Sequence, residues 1–360
     1  MRYELSRMLD GSRWLMEPSA FAALLQRAMQ VTEPEVQAAI VAYDDQRSEQ
    51  QLRLVGDVAV IDACGPVMYK GSWLSYLFGC CTIEGMQAQL RLALADPACR
   101  SIVIRWDSPG GTVDMVPEFA EELYQASARG AGKPIYSVAD TMIASAAYWL
   151  AAQSDAIYAS GSSLLGSVGV YCEHVDLSGM LEKAGIKVTL ISHGARKTDG
   201  NPYEPLSDAA RATYQASVDQ VGADFEAAVA RGRGVTRKAV LDTYGQGLVF
   251  RGKQALDLGL ADKRATFSDL MARLTKGKAG AGQVAMRGQA PSGDGLTEDL
   301  LADKRKRADT MEPEDGECED GYEMGEDGMC HLMAPPAEEG AGRAASDAEG
   351  ILATLGSGRA

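Results

Sequence analysis

The sequence predicts an α/β fold with mostly parallel strand pairing, followed by a tail that lies outside the fold. Strand-like and helix-like runs alternate from about residue 52 to residue 262, the pattern of strands joined by helical crossovers. From Lys276 the composition turns to Gly, Ala, Ser and Pro and then to acid, which cannot bury enough apolar surface to pack. A content of 46% hydrophobic and 24% charged residues is that of a soluble globular chain, and 360 residues hold one large domain with appendages.

Residues 1–50 read as a helical N-terminal arm. Pro18-Ser19 precedes the periodic run Phe21, Leu24, Leu25, Ala28, and Thr32-Glu33-Pro34-Glu35 is a helix start before Val36, Ile40 and Val41. Asp44 to Gln51 reads as a polar linker. Strands are expected at Leu52–Val55 and Val58–Asp62. Trp73 to Cys81 reads as an aromatic loop, either core filling or a wall for a substrate or a neighbouring subunit. A helix opens at Thr82 with Met86, Leu90 and Leu94 on one face. A strand at 101–106 and a helix from Val116 to Ala128 follow, then the strand Pro134–Val138, which feeds a helix beginning after Ser145. Beyond it come strands at Ala156–Ala159 and Val168–Cys172, a helix at Leu177–Ala184, a strand at 187–192, a long helix from Ser207 to Arg231 and a short one at 236–241. Leu248-Val249-Phe250 and 252–262 follow.

Four stretches could carry chemistry. Ser145 lies between alanines where a strand enters a helix, so a carbonyl can approach its hydroxyl and the helix terminus favours developing negative charge. A small residue placed for tight helix packing would look the same. Upstream, the strand ending Trp106-Asp107 runs into Ser108-Pro109-Gly110-Gly111-Thr112, where two glycines leave backbone N–H groups unshielded, as an oxyanion hole requires. Downstream stand Gly166-Ser167-Val168-Gly169-Val170 and the loop Gly194-Ala195-Arg196-Lys197.

At these residues, in this order from about Val58 to the closing Gly259-Leu260-Ala261-Asp262, the chain closely resembles the signal peptide peptidase A family of Ser-Lys peptidases, including its bacteriophage branch of head maturation proteases. The resemblance implies a Clp protease/crotonase-like fold of repeated β-β-α units over residues 51–275, with Leu248-Val249-Phe250 and 252–262 as its closing strand and helix. It also implies Ser145 as nucleophile, Lys197 as its base, Ser167 orienting the lysine, and Gly110 and Gly111 amides holding the oxyanion. The family usually has a threonine where Leu165 stands. Phage-type relatives carry similar helical arms, and family members form rings in which nucleophile and base can come from neighbouring subunits.

A serine hydroxyl needs a base, and a lysine serves only when desolvation favours its neutral amine, a differential of about 4 kcal/mol for a pKa of about 7–8. On its own, Lys197 beside Arg196 reads as a surface residue; its role leans on the resemblance. Clp-type proteases use Ser, His and Asp in that order, and Ser145, His174 and Asp199 offer the same order; His193 is a further candidate. The dyad fits the surrounding motifs better, since order alone matches many chance triples.

A net charge of −15 argues against nucleic acid as a partner. Seven scattered cysteines with no Cys-x-x-Cys pair read as free thiols in a reducing compartment. No secretory signal or apolar run long enough for a bilayer is present in the sequence given, so a soluble, cytoplasmic protein without a membrane anchor is expected. The tail, 276–360, combines a flexible linker to Gly295, the basic block 304–307, and ten acids with no base from Asp309 to Asp327. Its Glu-Asp-Gly repeats lack calcium-loop spacing and Cys318, Cys330 and His331 lack zinc-site spacing, so no metal and no cofactor are expected. The function expected is a serine endopeptidase that processes capsid and scaffold proteins inside a phage prohead in the host cytoplasm, as a homo-oligomeric ring, with the tail as a scaffold-like segment. A soluble bacterial peptidase acting on signal peptides or oligopeptides, and a non-catalytic capsid protein retaining the fold, are the alternatives; a crotonase-type acyl-CoA enzyme has no use for the Ser-Lys pair.

Overall fold

In the computed structural model the residues described are 52–244 and 246–275, the helix Glu33–Ser48 with the two residues before it, 13–16 and scattered positions between 20 and 30, and three short strands beyond 309. The linker 276–295 and most of the acidic tail lie outside the described residues.

The main sheet runs, edge to edge, Val249–Arg251, Leu164–Gly166, Ile135–Ala144, Ser101–Ser108, Val58–Cys64, Arg53–Val55. Its four inner strands are parallel and its two edge strands antiparallel. The long strand Ile135–Ala144 is shared: its first half pairs with Ala156–Ala159 and its last three residues with Leu164–Gly166. Inner strands that are covered on both faces need continuous apolar sequence, and Ile102, Val103, Ile104 and Trp106 are accordingly buried. The repeated β-β-α units are present: Ser101–Ser108, Gly110–Thr112 and the helix Val116–Ala126 form one, and Leu164–Gly166, Tyr171–Cys172 and the helix Ser178–Lys183 another. The sequence expectation of an α/β fold therefore stands.

Helices seal the sheet. Phe119, Ala120 and Leu123 of Val116–Ala126, and Ile83, Met86 and Leu90 of Ile83–Ala95, line one continuous core. Trp149 stacks on Phe225 of the long helix Asp208–Arg233, ring centroids 4.7 Å apart, a pairing worth about 1 kcal/mol beyond its buried area. That helix is capped by the Ser207 side chain and closed by Gly234 at φ 66°, the left-handed position that favours glycine.

Five expectations change. Residues 13–16 form a strand within the arm that reads as helical, and they join a second sheet in the order Tyr171–Cys172, Arg13–Met16, Gly110–Thr112, Val67–Met68, Cys81–Thr82. The expected linker from Asp44 instead continues the helix Glu33–Ser48. The aromatic loop is a helix, Trp73–Leu77, started by a reciprocal bond between Ser72 and Ser75. Gly110 and Gly111 sit in a strand with a neighbour on each side, so this stretch is no open loop. The strand expected at 187–192 is absent: the segment pairs with nothing among the described residues and exposes Val188 and Ile191. Its Val-Thr-Leu-Ile sequence suits a pleated surface, but no free sheet edge of the same chain meets it.

Residues 290–360 form a separate unit, in which Thr310–Met311, Cys330–Leu332 and Tyr322–Met324 pair antiparallel in that order.

Candidate active site

Ser145 occupies the sharp turn between the central strand Ile135–Ala144 and the helix Ala146–Ala151. Its backbone stands at φ 54°, ψ −120°, a conformation L-residues avoid unless the surroundings impose it. Those surroundings are rigid: Ser145 N–H donates to the Gly166 carbonyl at 2.8 Å, Trp149 N–H donates to the Ser145 carbonyl, and every residue of the helix is buried. Ser145 is 1% exposed.

Gly166 pairs with Ala144 on the adjacent parallel strand, so Ser167 emerges beside Ser145 at the same end of the sheet. It too has a positive φ, 54°, its N–H donates to Leu248 at 2.7 Å, and it is 5% exposed. Gly166 must be glycine, since its φ is 123° and a Cβ there would meet the Leu248 carbonyl at 2.6 Å. Leu165, where the related family has threonine, is buried against Ile143 and Phe250 and acts as core.

Gly110–Thr112 packs against the Ser145 helix. Gly110 N–H lies 3.3 Å from the buried Ser108 hydroxyl, and a side chain at Gly111 would run into the Val67 carbonyl. One participant went unnoticed in the sequence: Ser108, read only as part of a turn, accepts from the Gly110 N–H. Ala146 and Ala147 start the helix whose terminus the sequence marks, so their N–H groups lack intrahelical acceptors.

Lys197 is exposed, whereas Ser145 is buried. The lysine lies on the exposed segment 173–206, which carries Val175, Ile186, Val188 and Ile191, the last 95% exposed, and among the described residues no hydrogen bond joins its ammonium to either serine. Of the groups in the histidine alternatives, the Asp199 carboxylate is held by Arg196 and His193 is exposed. Nearby thiols are poor rivals as nucleophiles: burial pushes Cys80 up to about 12 and raises Cys81 further, and burial followed by the Asp62 and Asp107 charges raises Cys64. No group of metal-ligating side chains occurs among the described residues, and none of their helices is long and apolar enough to cross a membrane.

Residues 127–281 match the sequence profile described as Peptidase family S49. Capsid assembly protease C of Escherichia phage lambda is 31% identical over 63% of this chain and 50% of its own length. Head-tail preconnector protein GP5 of Enterobacteria phage P21 is 31% identical over 62% and 44%, and Protease 4 of Salmonella typhi 30% identical over 65% and 36%. The chain thus spans half or less of the length of these relatives. The resemblance to signal peptide peptidase A and phage maturation proteases is upheld by these relatives, and the stretch from 127 to 281, which contains Ser145, Ser167 and Lys197, is similar to peptidase family S49.

Proposed function

We propose that the protein is a serine endopeptidase that forms an acyl-enzyme on Ser145, with Lys197 as general base. The observation that carries this is the buried Ser145, held at φ 54° on a strand-to-helix turn: backbone strain of this kind is retained where geometry is needed for chemistry. In the first step Ser145 Oγ bonds to the scissile carbonyl carbon while its proton passes to the lysine amine, and that proton then leaves on the departing amine. In the second step water attacks the ester carbonyl and gives a proton to the same base; the bond to Ser145 Oγ then breaks, the base returns that proton to Oγ, and the acid leaves. The tetrahedral oxyanion is received by Gly110, Gly111 and Ala146 amides, worth about 3 kcal/mol per donor, the Gly110 N–H turning from the Ser108 hydroxyl that it meets at 3.3 Å, and Ser167 orients the lysine.

Because Lys197 stands on an exposed apolar segment, the base is supplied by a neighbouring copy in a homo-oligomeric ring, which also removes Val188 and Ile191 from water. Substrates are extended protein segments. The capsid assembly protease among the relatives supports processing of capsid or scaffold proteins in a prohead; Protease 4 keeps a bacterial peptidase role as the second reading.

Ser145→Ala and Lys197→Ala should each lower kcat on a cleavable protein by about 10³-fold or more, without additivity in the double variant and with unchanged thermal unfolding. An active Lys197→Ala beside an inactive His174→Ala would overturn the dyad.

A further inference from the structure

The two strands that flank the site are bridged by the chain's own N-terminal segment. Arg13–Met16 runs antiparallel to Gly110–Thr112, with Trp14 opposite Thr112, Leu15 opposite Gly111 and Met16 opposite Gly110. Its other edge takes Tyr171–Cys172, with Arg13 opposite Cys172 and Trp14 opposite Tyr171. The first partner contains the proposed oxyanion glycines, and the second begins four residues after Ser167. A polypeptide that delivers a carbonyl to Ser145 has to pass Gly110, and an extended chain gains most by adding itself as a strand to open sheet edges. Here both edges are already paired.

The segment is anchored beyond its ladder. Met16 is 2% exposed and packs with Phe21, Ala20, Leu24 and Tyr171, and the Phe21 and Tyr171 rings meet edge-on at 6.3 Å. Farther along, Ala20, Leu24 and Arg27 line a cavity of about 490 Å³ whose other wall includes Pro66, Phe78 and Pro109. The arm therefore covers the approach to Gly110 from the strand to the cavity.

We propose that Arg13–Met16 is an autoinhibitory strand, a segment of this chain that fills the peptide groove beside Ser145 and must leave before a substrate strand can enter. The proposal rests on the peptidase reading above. A tethered competitor acts at an effective concentration in the millimolar range, so its main effect falls on KM.

The test uses the full chain carrying Trp14→Pro and Leu15→Pro together. Successive residues of a strand face opposite edges, so the pair removes one N–H donor toward each flanking strand. Two readouts are taken: kcat/KM on a fluorescence-quenched extended peptide, and amide hydrogen exchange at 110–112 and 171–172 in the Ser145→Ala background. The proposal expects kcat/KM to rise about tenfold or more, mainly through KM, with protection lost at both edges and the melting temperature of the core kept. Unchanged protection overturns the occupancy, and lost protection with unchanged kcat/KM overturns the inhibition. Lost protection with no turnover by either chain refutes the peptidase reading, and the inhibition with it, while the occupancy stands.

Discussion

Two regions of the chain, each carrying half of the proposed dyad, are built to opposite rules. Around Ser145 every residue from Ala144 to Ala152 is buried, the backbone bonds to neighbouring strands, and Trp149 is stacked on Phe225. Around Lys197, from 173 to 206, no residue is fully buried, and large apolar side chains face outward. The first region is finished by folding. The second holds a base and an apolar surface that only another surface can cover. The difference teaches that folding of one chain buries and fixes Ser145 but leaves the segment around Lys197 exposed; under the function proposed above, that segment is where a neighbouring copy would dock.

Mixing inactive proteins breaks that comparison most sharply. If the base crosses an interface, Ser145→Ala and Lys197→Ala proteins dissociated and reassembled together regain activity, because some sites pair an intact Ser145 with an intact Lys197. Recovery from a loss of about 10³-fold to within about tenfold of wild type is expected. A mixture as dead as its components would place both residues of the dyad in one chain.

Matched substitutions sharpen it next. Leu150→Ala empties a fully buried position and should cost about 2–5 kcal/mol in urea unfolding. Ile191→Asp removes the most exposed large apolar side chain named above and should change the stability of the monomer by about 0.5 kcal/mol or less, yet abolish the larger species in sedimentation and, with it, activity. An Ile191→Asp protein that still assembles and cleaves would remove this segment from the interface.

The sequence was legible where one element suffices to explain itself. The inner strands expected at 58–62, 101–106 and 134–138, the small-residue helix after Ser145 and the caps at Thr82, Ser207 and Thr236 depend on local pattern and match the structure; the inner strand Leu164–Gly166 is absent from the sequence reading, and the strand expected at 168–172 shortens to Tyr171–Cys172. It was illegible where the outcome depends on a distant partner. Arg13–Met16 is a strand only because Gly110–Thr112 and Tyr171–Cys172, about 100 and 160 residues away, accept its ladder; the same dependence makes 187–192 no strand. The site followed that division. Ser145 lies on a strand-to-helix turn that the local pattern defines, whereas Gly110 and Gly111 are a strand only through their pairing and Lys197 lies on a segment that pairs with no strand among the described residues. The closing Gly-Leu-Ala-Asp was noticed as a landmark, but its work could be seen only with Arg233 in place.

The smallest expected effect contrasts the ion pairs of the two regions. Arg196 and Asp199 pair on the exposed segment, so Arg196→Ala should cost less than about 1 kcal/mol. Asp262 instead accepts two bonds from Arg233, at 2.7 and 2.8 Å, and the Ile157 N–H at 2.7 Å, while the Arg233 side chain is only 6% exposed. These bonds tie the end of the long helix to the sheet. Burial by itself pushes the Asp262 carboxyl up, but the bonds from Arg233 and Ile157 outweigh it and hold the group below its ordinary value. A folded-state pKa below the unfolded one contributes stability that is fully present above about pH 4, the unfolded value, and is lost as pH falls through the folded one. With Asp262 partly open to solvent, that linked part is about 1 kcal/mol or less. Urea unfolding of wild type and Asp262→Asn should therefore differ most near pH 7 and converge as the pH drops from 5 toward 3. A difference that stays constant across that range would mean that the carboxylate charge adds nothing to the lock.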